Sequence, residues 1–217
     1  MSGKYDWAVA RRERGSARPS GDERQDAILA TAESLLADRT LADISIEDLA
    51  RGAGISRPSF YSYFSSKDEV VIELLARVIE EVDRALAGLS GAPSADRADP
   101  WRKSISAFVE VFTKHEAVAA TALSSRLHNP EIQALWTKSM QSWVDYTRKA
   151  IMSERRRGAA PDGIPAGELA VALNLMNERV LSAAFAGEQP AIDRSSVVDV
   201  LLGIWMLSIY GRGAVEA

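Results

Sequence analysis

Residues 44–69, ISIEDLARGAGISRPSFYSYFSSKDE, hold two short amphipathic stretches hinged on Ala53-Gly54, and that pattern constrains the chain more than any other. Ser45 stands where an N-cap belongs, Asp48 follows three residues on as in a capping box, and Ile44 is spaced to staple onto Leu49. Gly54 can take the positive φ that a tight turn needs. A second start follows at once, with Ser56 as N-cap, Pro58 tolerated in the first turn and Ile55 spaced to reach Phe60. Two capped helices around a glycine turn make a helix-turn-helix, and that motif implies DNA as a partner.

Helical spacing sends Ile55, Phe60 and Phe64 inward and leaves Arg57, Ser59, Tyr61, Ser62 and Tyr63 facing out over about two turns. An exposed arginine can take guanine through two parallel bonds, serine and tyrosine hydroxyls can reach phosphate or base edges, and rings can pack on a thymine methyl. The alternative is that the tyrosines only roof the small core with their rings. Lys67 comes next, behind Ser66 as N-cap with Glu69 completing an S-x-x-E box, and a lysine at a helix start suits a phosphate.

On these residues, the segment 21–75 resembles the N-terminal domain of the TetR family of bacterial one-component repressors. The resemblance implies DNA contacts at Arg57, Pro58, Ser59, Tyr61, Tyr63 and Lys67, with Ser45 or Ile46 near a phosphate. ARPSGDERQDAILATAESLLADRTLADIS, LWTKSMQSW, ALNLMNERV, AFAGEQP and SIYG extend the likeness over roughly residues 17–211, to one mycobacterial branch of the family. That branch implies ligand-responsive repression released by a small apolar effector, and control of a monooxygenase gene.

After Ser66 the pattern is helix after helix. Val70, Val71, Leu74, Leu75, Val78, Ile79, Val82, Leu86 and Leu89 form one stripe, SGAPSADRADP is a loop, and further helices begin near Trp101, His115, Glu131, Ala166 and Ser195. No strand pattern occurs, so the expected fold is all-α, TetR-like. The expected parts are a basic flexible arm (residues 1–20), a helix-turn-helix DNA-binding domain (21–66) and a helical ligand-binding and dimerisation domain (67–217). One recognition helix reads too few base pairs, so a homodimer is expected. The last two helices carry apolar residues on more than one face (Leu169, Leu173, Val180, Leu181; Val197, Leu201, Ile204, Leu207) and suit an intermolecular four-helix bundle.

Composition excludes more than it selects. The 217 residues include no cysteine, which removes disulfides, thiolate chemistry and zinc fingers. No apolar run reaches the roughly 20 residues of a membrane span, and the N-terminus lacks a signal-like stretch, so the expectation is a soluble cytoplasmic protein. The net charge of -4 sits poorly with nucleic-acid binding, but Lys4, Arg11, Arg12, Arg14 and Arg18 cluster in the arm, which could follow phosphates or be a solvated tail. His115 and His128 are the only histidines, with no second ligand at metal spacing, no nucleophile elbow and no phosphate loop; no catalytic residue, metal or cofactor is expected.

Trp101, Trp136, Trp143 and Trp205 fall on three different helices of the larger part, with Phe108, Phe112, Met140 and Tyr146 at helical spacing from two of them. Such rings either interdigitate into a solid core or line a cavity. Asn174 and Asn177 lie three apart in the apolar run LNLMN, and buried amides need partners, either a neighbouring helix, a water or a ligand. The family resemblance implies a long apolar ligand tunnel at Trp101, Ile105, Phe108, Trp136, Met140, Trp143, Tyr146, Asn174, Asn177 and Trp205. Ser182 departs from the pattern, which has phenylalanine there, and a smaller side chain reshapes one end of the tunnel. Two other readings stay open: an architectural DNA-binding protein with a solid aromatic core, and a helical carrier of apolar ligands.

Overall fold

The computed structural model describes residues 21–89 and 96–211; the basic arm, residues 1–20, and the first part of the expected loop after residue 89 lie outside the described residues. Among the described residues nine α-helices follow one another: α1 (Gly21–Leu36), α2 (Ile46–Gly52), α3 (Arg57–Phe60), α4 (Lys67–Gly88), α5 (Asp99–Lys114), α6 (Glu116–Ser125), α7 (Pro130–Arg156), α8 (Ala166–Ala186) and α9 (Val197–Tyr210). No strand occurs among the described residues. A 3-10 turn, Leu41–Asp43, sits between α1 and α2 and was not anticipated.

The caps do what their side chains dictate. Ser45 accepts from the Asp48 amide, and Asp48 returns the bond to the Ser45 amide at 3.1 Å. Gly54 turns the chain at φ 67°, and Ser56 Oγ accepts from the Ser59 amide at 3.2 Å to start α3. Gly52 matters for a different reason: a Cβ there would lie 2.2 Å from Thr31 Cγ2, so any larger residue would force the Thr31 side chain or the α1–α2 packing to shift. At α4, Ser66 accepts from the Glu69 amide, but the Glu69 carboxylate does not complete the expected box. It takes the amide and hydroxyl of Ser65 instead, at 2.6 and 2.8 Å, because the chain turns one residue earlier.

Burial follows the stripes. Ile28, Leu29, Leu49, Phe60 and Phe64 form the core under the helix-turn-helix. Val70, Val71, Leu74, Leu75, Val78, Ile79, Val82 and Leu86 of α4 continue that core without interruption to Phe112, Val118, Ile132 and Trp143. A second buried cluster joins Trp101 and Ile105 to Ile151, Leu169, Leu173, Leu201, Trp205 and Ile209. The recognition segment differs from expectation in one respect: α3 is a single turn, and Tyr61 to Tyr63 continue it as turns bonded back to Ser59 and Phe60.

Five of the eight expected interface residues, Leu169, Leu173, Leu181, Val197 and Leu201, are buried in the chain's own core. α8 and α9 are apolar on several faces, and sequence alone cannot rank the faces. The outward stripe is Val171, Leu175, Val200, Ile204 and Leu207, all 38–48% exposed.

Two bonds from Ser45, side chain and backbone, hold the Asp48 carboxyl down to about 2. A carboxyl depressed in the folded state contributes stability above its unfolded value, near 3.9, and that contribution is lost as pH falls through the folded value. Ser45→Ala is therefore expected to cost about 1 kcal/mol at neutral pH through the lost cap. That cap bond does not titrate, but the bond from the Ser45 hydroxyl to the Asp48 carboxylate does, so between about pH 4 and pH 2 the gap between wild type and variant should narrow without closing; urea titrations at several pH values check this, and a gap constant with pH refutes the linkage.

Candidate functional site

Two regions bring the expected residues together. On the helix-turn-helix surface, Arg57, Pro58, Tyr61, Ser62 and Ser45 are exposed, whereas Ser59 and Tyr63 are half-buried. Tyr61 stands edge-on to Phe60, ring centroids 5.7 Å apart, which fixes the phenol outward at 49% exposure. The Ser59 hydroxyl shares a 2.8 Å bond with Ser56, so part of its capacity goes to the cap. Arg57 makes no ion pair among the described residues and keeps its guanidinium free. Arg39 and Arg51, which sequence reasoning passed over, both bind the Asp48 carboxylate, at 3.2 and 2.5 Å.

Lys67 is placed differently from expectation. Its ammonium turns back and donates to the carbonyls of Leu41, Ala42 and Ile44 at 2.6, 3.3 and 3.1 Å. An ammonium has three donors, and all three are taken. The 3-10 turn supplies these carbonyls; because that turn has no clear sequence signal, the phosphate clamp looked more natural. In this arrangement Lys67 ties the start of α4 to the entry of α2.

The second region is a narrow cavity of about 60 Å³ among α5, α6, α7 and α8, which Leu86 of α4 and Trp205 of α9 also line. Trp101, Ile105, Phe108, Trp136, Met140, Trp143, Tyr146, Asn174, Asn177 and Trp205 all line it. The rings meet edge to face rather than filling the space: Phe108 and Trp143 at 4.9 Å and 88°, Trp136 and Trp143 at 6.0 Å and 86°. Three indole N–H groups are bonded to fixed partners: Trp143 to Asp83 (2.9 Å), Trp101 to the Tyr210 hydroxyl (2.8 Å) and Trp205 to Asn177 Oδ1 (3.1 Å). Their donors are spent, so these rings offer the cavity apolar surface. Tyr210 in turn donates to Glu154 at 2.7 Å, and burial, with that carboxylate, pushes its phenol up to about 12.

The two asparagines divide. Asn174 donates to Thr147 Oγ1 at 3.0 Å and to the Ala170 carbonyl at 2.9 Å, so helix-to-helix bonding accounts for its burial. Asn177 spends its oxygen on Trp205, and its Nδ2 has no partner among the described residues. Sequence reasoning missed Phe185, Leu123, Thr147 and Glu178 in the lining. Glu178 pairs with Arg126 at 2.6 Å, and Arg126 lies 5.6 Å from the centre of the Trp136 ring. The aromatic spacing could have found Phe185; nothing in the sequence pairs residues 126 and 178. Ser182 lines the same wall as Phe185.

Among the described residues, no group of three or more His, Asp or Glu could hold a metal, and no helix is long and apolar enough to cross a membrane. An all-helical fold with an N-terminal helix-turn-helix and a separate apolar cavity defines a one-component regulator. The comparisons agree. Residues 28–74 match the family described as bacterial regulatory proteins, tetR family, and residues 101–211 match the transcriptional regulator EthR, C-terminal domain. The chain belongs to the TetR family and within it to the EthR type, a transcriptional repressor and not an enzyme.

The HTH-type transcriptional regulator EthR of Mycobacterium tuberculosis is 54% identical over 93% of this chain and 94% of its own length. Its namesake in Mycolicibacterium smegmatis is 47% identical over 92% of each. Among solved structures, the fatty acid degradation regulator FadR from Bacillus halodurans shares the fold, with a TM-score of 0.70 and 15% identity over 90% of this chain and 98% of that one.

The free guanidinium of Arg57 and the occupied ammonium of Lys67 predict opposite behaviour. Against a duplex selected by the protein from a random pool, Arg57→Ala should cost about 1 to 3 kcal/mol and relax preference at one position. Lys67→Met should lower the melting temperature and leave the slope of log K against log salt unchanged; a slope smaller by about one unit would restore the phosphate contact.

Proposed function

We propose that this repressor reads its operator with Ser45, Arg57, Pro58, Ser59, Tyr61 and Tyr63, and leaves it when a small apolar effector fills the cavity among α5 to α8. On this reading residues 21–66 are the DNA-binding unit and residues 67–217 the effector-binding and dimerisation unit. A monooxygenase gene is the target that the resemblance suggests. The observation that carries the reading is the cavity's lining: aromatic and aliphatic side chains from six helices converge on an apolar space of about 60 Å³, edged by one uncommitted amide on Asn177. That space is smaller than the roughly 300 to 1,000 Å³ of an ordinary ligand site, so an effector must part the walls to enter.

The mechanism is a shift between two states. An effector wedged between α5 and α8 holds them apart, and α4, whose stripe is common to both units, carries the displacement to the recognition segment. Two such segments in a dimer must sit roughly 34 to 36 Å apart, so a change in separation costs one half-site its register. A 100-fold preference of the effector for the spread state shifts the equilibrium by about 2.7 kcal/mol. An apolar molecule or ester with one hydrogen-bond acceptor for Asn177 fits the lining. Homodimerisation is typical of the family, and the exposed stripe Val171, Leu175, Val200, Ile204 and Leu207 is the face we assign to it.

Two experiments test these assignments. Asn177→Ala and Trp143→Ala should weaken an apolar effector and its release of the operator together, while operator affinity without effector is unchanged; tryptophan emission and anisotropy read both. Release that survives both substitutions puts the site elsewhere. For assembly, Ile204→Glu should turn a dimer into a monomer in light scattering at micromolar concentration and abolish tight operator binding, whereas a variant that remains dimeric rejects the stripe.

A further inference from the structure

Three consecutive side chains at the break between α5 and α6 each fix a different part of the protein. Lys114 pairs with Glu81 of α4 at 2.8 Å. His115 turns Nδ1 to the Glu33 carboxylate of α1 and Nε2 to Glu81 at 3.2 Å. Glu116 takes both prongs of Arg194, in the segment between α8 and α9, at 2.8 and 2.5 Å, and Arg194 also donates to the Ala184 carbonyl. His115 ends α5 and opens α6 at φ -111°, ψ 34°, so its ring stands where the chain changes direction. Its side chain is only 16% exposed, and its two ring nitrogens face carboxylates on two different helices.

The same break is a wall of the cavity. Phe112, one turn before it, and Ala119 and Ala120, one turn after, face the apolar space. Phe185 lines that space and also a groove on the other side, which His115 and Glu33 share. α6 packs against both α1 and α4. Any occupant that parts α5 from α6 must therefore move the segment that carries these charged side chains. α4 also packs directly on α1, where Arg77 pairs with Asp26 at 2.8 Å, and α1 is gripped in addition from the cavity side through Glu33.

We propose that His115 is a positioning residue of the allosteric response: the Glu33–His115–Glu81 clamp is a second route, beside α4, by which an occupied cavity displaces α1 and the DNA-binding helices packed on it. The inference rests on the effector reading given above. A residue of this kind moves the response to a ligand, and a merely structural one moves only the resting stability.

Hydrogen exchange on the full chain separates these roles, with the neutral apolar dye N-phenyl-1-naphthylamine as cavity probe. In the wild type, dye binding should quench tryptophan emission and change amide exchange in the α1 peptide by about threefold. In His115→Ala the quench should keep its midpoint, the change in α4 should persist and the change in α1 should fall to about half or less, the remainder being carried by the direct contact of α4 with α1. Glu33→Gln, at a position 34% exposed, should do the same and covers the case in which His115→Ala fails to fold. An α1 response of wild-type size in either folded variant, or none in the wild type despite quenching, overturns the clamp. No quench in the wild type overturns the cavity reading itself.

Discussion

The buried stripe of α4 is the interaction on which everything else depends. From Val70 to Leu86 eight side chains on one face are buried, and they belong to one apolar cluster that contains Ile28 and Phe60 at one end and Phe112 and Trp143 at the other. Fully burying side chains of this size gives roughly 1.5 to 3 kcal/mol each, enough that neither end can be peeled from the helix without losing much of the fold. A three-helix unit of about 45 residues has only a marginal core of its own. Borrowing α4 solves that problem, and the solution makes the DNA-binding helices mechanically dependent on the larger domain.

The cavity persists in so apolar a setting because its aromatic walls are anchored from behind. Trp143 is held by Asp83, Trp101 by Tyr210 and Trp205 by Asn177, and each bond fixes a large ring at an angle that its neighbours cannot close. Collapse would break these bonds as well as gain packing. A buried donor left without its partner costs about 1 to 3 kcal/mol, comparable to the gain from filling part of the space. The polar groups of this domain thus keep an apolar volume open.

Much of this was legible in the sequence. Serine at positions 45, 56 and 66 marks helix starts through chemistry that acts within four residues, and the α4 stripe is a periodicity, so both could be read without tertiary knowledge. The ten expected cavity residues were brought together by family resemblance, since the aromatic spacing alone favoured a solid core over a cavity. What escaped the sequence was non-local. Lys67 reaches Leu41 across 26 residues and Asn174 reaches Thr147 across 27, and neither partner has a motif. The outward face of α8 and α9 escaped for another reason: where every face is apolar, periodicity cannot say which one the chain keeps for itself.

These non-local bonds also fix what an effector must overcome. Lys67 locks the first turn of α4 to the carbonyls ahead of α2, so α4 cannot slide relative to the helix-turn-helix without breaking three charge-assisted bonds. Rotation of α4 together with the whole DNA-binding unit keeps those bonds intact. The cheaper motion is therefore a rigid-body swing in which α1, α2 and α3 move together, and in a dimer such a swing changes the distance between recognition segments while leaving each one's contact surface unaltered. On this argument, release costs specificity nothing: the freed protein retains the surface that reads the operator and loses only the spacing at which two copies can use it.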